Sequence, residues 1–403
     1  MLQSLTEEKN LHMEHLEDNV LNGGVDGTRQ TINFIRALRD MLSGVSSAKV
    51  DISVKWDGSP AIFAGTDPRD GKFFVAKKSI FNQNPKVYKT MDDIDADLDG
   101  DLREKFIVAL KHLPKLNIDG IVQGDMLYTK KDLKYTRINN KRYLTFHPNT
   151  IVYAVPADSE LARTIRNSQM GVVWHTKYVG RDFESLSAIY NQSFIDRMTP
   201  NRNVWFTDAT YRDVSGTATF NSEETMKLNE LLSKMGSLFN KISKRAFDRI
   251  VFNNDLNIRL KTFNNTKIRE QQPITNPAAH VEEFIDYLES YYQKEKDKRS
   301  TERGKDAVEL KRNAVMDDLV PDELVKMLMI MNLIIEAKRL LMDKLNTASG
   351  LDTFFLTNRG FKVTNQEGFV VSDRLGSNAV KLIDRLEFSY SNFSGEVIKG
   401  WQR

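Results

Sequence analysis

Residues 54–60 read Val54, Lys55, Trp56, Asp57, Gly58, Ser59, Pro60: an apolar strand residue, a lysine, one spacer, an aspartate and a run of turn formers. Side chains along a strand alternate with period two, so a strand ending in a turn at Gly58 presents Lys55 and Asp57 on one side. An acid that can approach the sugar of a nucleotide, beside a lysine that faces its phosphate, suits a covalent lysine nucleophile. The pattern is short, and at average residue usage K-x-D-G recurs in roughly one chain in ten of this length. Asp, Gly, Ser and Pro compose a bland surface hairpin equally well. The remainder of the chain has to separate the two readings.

Downstream, Ile121, Val122, Gln123, Gly124, Asp125, Met126, Leu127, Tyr128 is an apolar strand interrupted by a glycine and a carboxylate. Residues 150–155, from Thr150 through Tyr153 to Val155, form a β-branched and aromatic run of the kind that fills a central strand. Far along the chain, Glu367, Gly368, Phe369, Val370, Val371 repeats the acid-glycine-apolar signature, and Ala379, Val380, Lys381, Leu382, Ile383 sets a lysine inside another apolar strand. Isolated ionisable groups in apolar strands are costly unless paired or functional.

In that order the residues resemble the covalent nucleotidyltransferase superfamily: ATP-dependent DNA and RNA ligases and messenger RNA capping enzymes. KWDGSP is similar to the first family motif, which implies that Lys55 takes the AMP and that Asp57 and Gly58 fix the ribose side. Gly124 and Asp125 resemble the end of the third motif, with Asp where Glu is usual, and Tyr153 the aromatic strand after it, which implies stacking on adenine. Glu367, Gly368, Phe369 and Val370 match the fourth, E-G-x-V, and imply nucleotide contacts from Glu367 and Gly368. The fifth carries two lysines one residue apart, and only Lys381 stands here, facing the phosphate. The basic segment with Lys77 and Lys78 resembles the strand that follows the nucleophile in phage RNA ligases, and implies that Lys78 contacts the nucleotide. The chain also resembles a family of tailed-phage proteins with this KWDG core.

The chemistry implied needs these residue types. A free lysine, with a pKa near ~10.4, is protonated at neutral pH. Burial and a nearby cation, Mg²⁺ or Lys381, are expected to lower that value and free the lone pair. Attack on the α-phosphate of ATP then gives a lysyl phosphoramidate and pyrophosphate. Mg²⁺ keeps several waters, so Asp125 and Glu367 suffice as its protein ligands.

The net charge is +3, far from the balance of a strongly basic nucleic-acid binder, so any basic groove has to be local. Candidates are Lys77, Lys78 and Lys86, and then Lys130, Lys131, Lys134, Arg137, Lys141 and Arg142, the latter interleaved with Tyr128, Tyr135 and Tyr143. A solvated hairpin with a lysine-rich edge explains the same residues. With no cysteine there is neither a disulfide nor a cysteine-based zinc site. No apolar run reaches membrane-spanning length and the start is polar, so a soluble, cytoplasmic protein is expected, in a host cytoplasm if viral.

Residues 11–42 carry helical periodicity broken at Asn22, Gly23, Gly24, which predicts two helices. His12 and His15 with Glu14, Glu17 and Asp18 read as a charged helix face rather than a metal site. His147, before Pro148 and Asn149, marks a turn near the site, and His175 after Trp174 reads as a core histidine. From residue 223 to about 348 helical spacing dominates, as in Leu228, Leu231, Leu232, Met235 and in the methionine-rich Met327, Leu328, Met329, Ile330, Met331.

The expected division is a helical segment over 1–48, a first part of an α+β nucleotidyltransferase core over 49–221, a helical insertion over 222–350 and a second core part over 351–403. The core is expected to hold antiparallel sheets flanked by helices, with no oligonucleotide-binding barrel at the C-terminal end. The expected function is an ATP-dependent polynucleotide ligase, RNA favoured over DNA, joining 5′-phosphate to 3′-hydroxyl ends. The insertion is a candidate surface for a protein or nucleic acid. The alternatives are a nucleotidyltransferase-like binding module without chemistry, or AMP transfer to an acceptor that is not nucleic acid.

Overall fold

In the computed structural model, which describes residues 15–43, 50–189, 192–209, 219–346, 351–373 and 379–402, the lysine strand Val50–Lys55 edges a three-stranded antiparallel sheet. It pairs with Gly368–Asp373, which pairs in turn with Ala379–Leu382, both from the far end of the chain. Directly opposed residues share a face of a sheet. Lys55 pairs with Gly368, Ser53 with Val370, and Val370 with Lys381, so Ser53, Lys55 and Lys381 share one face. The other face carries Ile52, Val54, Phe369, Val371, Val380 and Leu382, and all of these pack into one large helical core.

That core explains the helices. Among the described residues, the region between the two sheet-forming parts holds six helices: Ser222–Lys241, Lys244–Phe252, Asn254–Arg269, Pro277–Asp297, Glu302–Asp318 and Pro321–Asn346. Ser222–Lys241 starts with a capping box, Asn221 and Glu224 each accepting the other's backbone N–H at 2.8 Å, and buries Leu228, Leu231, Leu232 and Met235 along one stripe. Each such buried side chain contributes about 1.5–3 kcal/mol. Pro321–Asn346 buries one side, from Leu324 through Met327, Met331, Ile334 and Leu341 to Leu345, while Met329 of its methionine-rich run is 40 % exposed.

The expected break in the N-terminal helical segment falls at Gly24, where φ is 55° and ψ −133°, and it divides Asn19–Leu42 into two helices across a kink. A glycine adopts that geometry without Cβ strain. Val20, Ile32, Ile35 and Leu38 join the same core as the helices that follow residue 222.

Two further sheets form the rest. A six-stranded sheet runs in the order Val204–Asp208, Met170–Val179, Ile121–Thr129, Ala61–Thr66, Phe73–Ala76, with Ser187–Ile189 added beside Met170–Val179. All its pairs are antiparallel except the one between Val204–Asp208 and Met170–Val179. A five-stranded antiparallel sheet runs Gly360–Val363, Asp352–Thr357, Ile151–Pro156, Lys141–Phe146, Lys134–Ile138. The protein is therefore a mixed α+β fold built mainly on antiparallel sheets. The chain after Leu382 forms the helix Arg385–Phe393 and a short turn Gly400–Gln402. No described helix is long and apolar enough to cross a membrane.

Candidate functional site

The segment from Trp56 to Pro60 connects all three sheets. Leaving the three-stranded sheet after Lys55, it donates the Asp57 N–H to the Tyr153 hydroxyl at 2.7 Å in the five-stranded sheet. It then joins the six-stranded sheet, where Ser59 N–H reaches the Met126 carbonyl at 2.8 Å and Met126 N–H reaches that of Pro60 at 3.0 Å. Gly58 is required by approach: a Cβ there would stand 2.5 Å from the Asp125 Cβ and 3.0 Å from the Met126 carbonyl oxygen. Gly368 is required similarly, since a Cβ would fall 2.3 Å from the Leu382 carbonyl oxygen. The close approach at Gly58 brings Asp125 to the lysine motif.

Lys55 Nζ donates to Glu367 Oε1 at 2.5 Å, with 10 % of the glutamate side chain exposed. Burial disfavours the lysine's charge, but Glu367, by charge and hydrogen bond, backed by Asp125 and Asp57, outweighs burial and holds the ammonium above its usual range. The expectation of a lowered lysine pKa is thereby corrected for the free protein: the nearest charges are carboxylates, and Lys381 stands off. From strand spacings, Lys381 lies roughly 12 Å from Lys55 between Cα atoms on the shared face.

The acids respond oppositely. Burial pushes Asp125 up to about 7, with Lys55 pulling down and Asp57 adding repulsion. Burial pushes Glu367 up to about 7 as well, against the pull of Lys55 and with the repulsion of Asp57 and Asp125. His175, which reads in the sequence as a core residue, stands at this site: its Nε2 is 3.7 Å from Asp125 Oδ2, and its Nδ1 is 2.7 Å from Thr176 Oγ1. Burial, then the charge of Lys55, pushes it down to about 4, so it is neutral at neutral pH. An ionisable group in an apolar strand was the signal that singled out Asp125, and the same reasoning applied to His175 finds it.

Two of the expected site residues are engaged inside the protein. Asp57 is buried, and its carboxylate accepts from Asn149 Nδ2 at 2.5 Å, Thr150 N at 2.6 Å, Thr150 Oγ1 at 2.7 Å and Ile151 N at 2.8 Å. Tied by both oxygens to the loop before strand Ile151–Pro156, it positions the motif. Asn149 and Thr150 are the residues the sequence did not reveal, since their spacing from Asp57 carries no periodic signal. Tyr153 is wholly buried, its ring 5.4 Å from Phe146 and 5.1 Å from Trp56, and its hydroxyl accepts from the Asp57 N–H.

Lys78 leaves the sheet just past Ala76, which pairs with Phe63, at the end where Ala61 sits opposite Asp125, and its side chain is exposed. Lys77 and Lys86, by contrast, both bind Asp97, at 3.2 and 2.6 Å. His147 is half-buried in the loop that supplies Asn149 and Thr150. His15 lies beside Lys381, bridged to it through the backbone, and burial pushes it down to about 3, while His12 and Glu14 lie outside the described residues. Among the described residues, no three His, Asp or Glu side chains gather as a metal-binding group. Two carboxylates, Asp125 and Glu367, are what the site offers a hard cation.

The fold and the site define a mixed α+β protein with a lysine and two carboxylates of raised pKa where three sheets meet. The chain belongs to the family described as a family of unknown function, DUF6267, whose model matches residues 10–396. Comparison with curated proteins and with solved structures finds no match.

Proposed function

We propose that the protein is a covalent nucleotidyltransferase of the ligase type, in which Lys55 accepts AMP from ATP and passes it to a polynucleotide 5′-phosphate, RNA favoured over DNA. The observation that carries this reading is the Lys55–Glu367 pair at 2.5 Å with Asp125 beside it, on the sheet face turned away from the helical core. In the first step the lysine nitrogen forms a bond to the α-phosphorus, and the bond from that phosphorus to the bridging oxygen of pyrophosphate breaks. The lysine must first give up a proton, and Glu367, hydrogen-bonded to it and raised to about 7, is the acceptor in contact. Bound Mg²⁺ supplies a Lewis acid for the phosphate oxygens, and Asp125 and Glu367 fit it as hard oxygen ligands whose mutual repulsion a cation relieves. Lys381, on the same face, supports the phosphate. A 3′-hydroxyl then displaces AMP from the activated 5′-phosphate.

A second reading rests on the same pair: a lysine held protonated by Glu367, with one lysine where two are usual on strand Ala379–Leu382, suits a nucleic-acid or virion-associated binding module without chemistry. AMP transfer to another acceptor is the variant of the first reading that keeps only its first half. The test is incubation with α-labelled ATP and Mg²⁺ followed by denaturation, with Lys55→Ala alongside. Label on the wild type alone is expected. Folded wild-type protein that takes no label overturns the nucleotidyltransferase reading, and label that reaches no RNA or DNA end overturns its ligase part.

A further inference from the structure

One edge of the five-stranded sheet is the hairpin of Lys134–Ile138 and Lys141–Phe146, beside the helix Glu160–Asn167. Tyr135 pairs with Leu144 and Arg137 with Arg142, so Tyr135, Arg137 and Arg142 stand on one face. The Arg142 guanidinium lies 4.6 Å from the Tyr135 ring centroid, and Arg166 of the helix donates to the tyrosine hydroxyl at 3.3 Å. Arg163, one turn earlier, shares the helix side of Arg166. Tyr128 and Tyr143, its companions in the sequence, are buried, whereas Tyr135 is 46 % exposed.

These arginines differ from Lys131 in the same region. Lys131 is paired with Asp101, at 2.7 Å, and with Glu104. Among the described residues, Arg137, Arg142, Arg163 and Arg166 form no ion pair. Of the acids near in sequence, Asp132 is engaged by Thr129 N and Oγ1 at 2.7 and 2.8 Å, while Asp158 and Glu160 stand at the start of the helix, Glu160 one turn before Arg163. Guanidinium groups gathered without an ion pair repel one another, and a polyanion relieves that repulsion. Guanidinium forks match phosphate oxygens, and an exposed aromatic ring among them offers a base a face on which to stack.

We propose that Tyr135 with Arg137, Arg142, Arg163 and Arg166 forms a binding site for single-stranded nucleic acid. The tyrosine stacks a base and the arginines hold the flanking phosphates. The site shares its sheet face with the lysine motif: Leu144, opposite Tyr135, is roughly 7 Å of strand from Phe146, which packs on Tyr153, the partner of Asp57. Delivery of a strand end to Lys55 rests on the nucleotidyltransferase reading, whereas the binding does not.

The test is fluorescence anisotropy with a labelled oligouridylate about a dozen nucleotides long, on the full chain with neither ATP nor metal present, over a range of salt. Tyr135→Leu is expected to weaken binding about 5- to 100-fold, while Tyr135→Phe, which keeps the ring, binds like the wild type. Arg142→Ala with Arg166→Ala is expected to reduce the slope of log affinity against log salt by roughly 0.7 for each phosphate that the protein no longer neutralises. Wild-type protein that does not bind, or variants that bind unchanged, overturns the proposal. So does binding that ignores Tyr135→Leu and is matched by heparin or phosphatidylserine vesicles, which assigns a general polyanion surface. Tight binding by protein that takes no AMP upholds this site and counts against the chemistry at Lys55 alone.

Discussion

Lys55 and Glu367, 312 residues apart in the chain, meet at 2.5 Å across two paired strands. The helical region between them in sequence packs against the far face of the sheet that joins them. The pair therefore depends on the insertion helices being folded, and the site is formed only when both ends of the chain are in place.

Glu367→Gln keeps the shape and removes the charge that holds Lys55 protonated. The lysine's pKa is expected to fall, and reaction of Lys55 with a small amine-directed acylating reagent at neutral pH to accelerate over wild type, read by peptide mass spectrometry. An unchanged rate shows that Glu367 does not control the lysine.

Asp57→Ala removes an acceptor that serves four donors in the loop 149–151. Buried donors left without partners cost about 1–3 kcal/mol. A loss of stability of that order is expected in urea denaturation, larger than for Lys55→Ala, whose side chain is part-exposed. Equal stabilities contradict the positioning role given to Asp57.

Gly58→Ala drives a methyl group onto Asp125 and the Met126 carbonyl, with the nearest approach at 2.5 Å, where real Cβ atoms are not found. The backbone has to move, and the expected result is folded protein with little or no lysine labelling by ATP. Full labelling shows that the turn can yield without harming the site.

Asp125 and Glu367 are both raised to about 7, against roughly 4 in an unfolded chain. The folded protein therefore binds more protons between those values, and stability falls with rising pH there. Their favourable contribution is complete below about pH 4 and lost as pH passes about 7. Lys55, raised from its ordinary value, contributes throughout this window and loses its effect only in alkali. Chemical denaturation across the range is expected to show the decline, and Asp125→Asn with Glu367→Gln to flatten it. An equally steep decline in the double variant assigns it to other groups.

Glu17 and Lys338 form the most buried ion pair described, 2.7 and 2.8 Å between Lys338 Nζ and the two carboxylate oxygens. Lys338→Met leaves a buried carboxylate without its partner and is expected to cost about 3–5 kcal/mol, much of it recovered when Glu17→Gln is added. Burial alone would raise the Glu17 pKa, but Lys338 outweighs it and the net shift is downward, so the pair's contribution is present above about pH 4 and is lost in acid. Additive losses in the double variant contradict the coupling.

Much of this molecule follows from local pattern. The helical region from residue 222, the apolar strands around Asp125, Tyr153 and Lys381, and the prominence of Lys55 come from periodicity and from the cost of charge in apolar strands, which neighbours in sequence carry. What tertiary structure decided is which charges meet. The Glu367 ion pair, the proximity of His175 to Asp125, the loop donors that occupy Asp57, and the burial of Tyr153 beside the exposure of Tyr135 all depend on strands distant in sequence. Hydrophobic patterning specifies an element and its buried face within a few residues, but a lysine's protonation or a tyrosine's access to solvent is set by groups a few ångströms away in space. Here those groups come from different sheets, joined by one seven-residue stretch of chain.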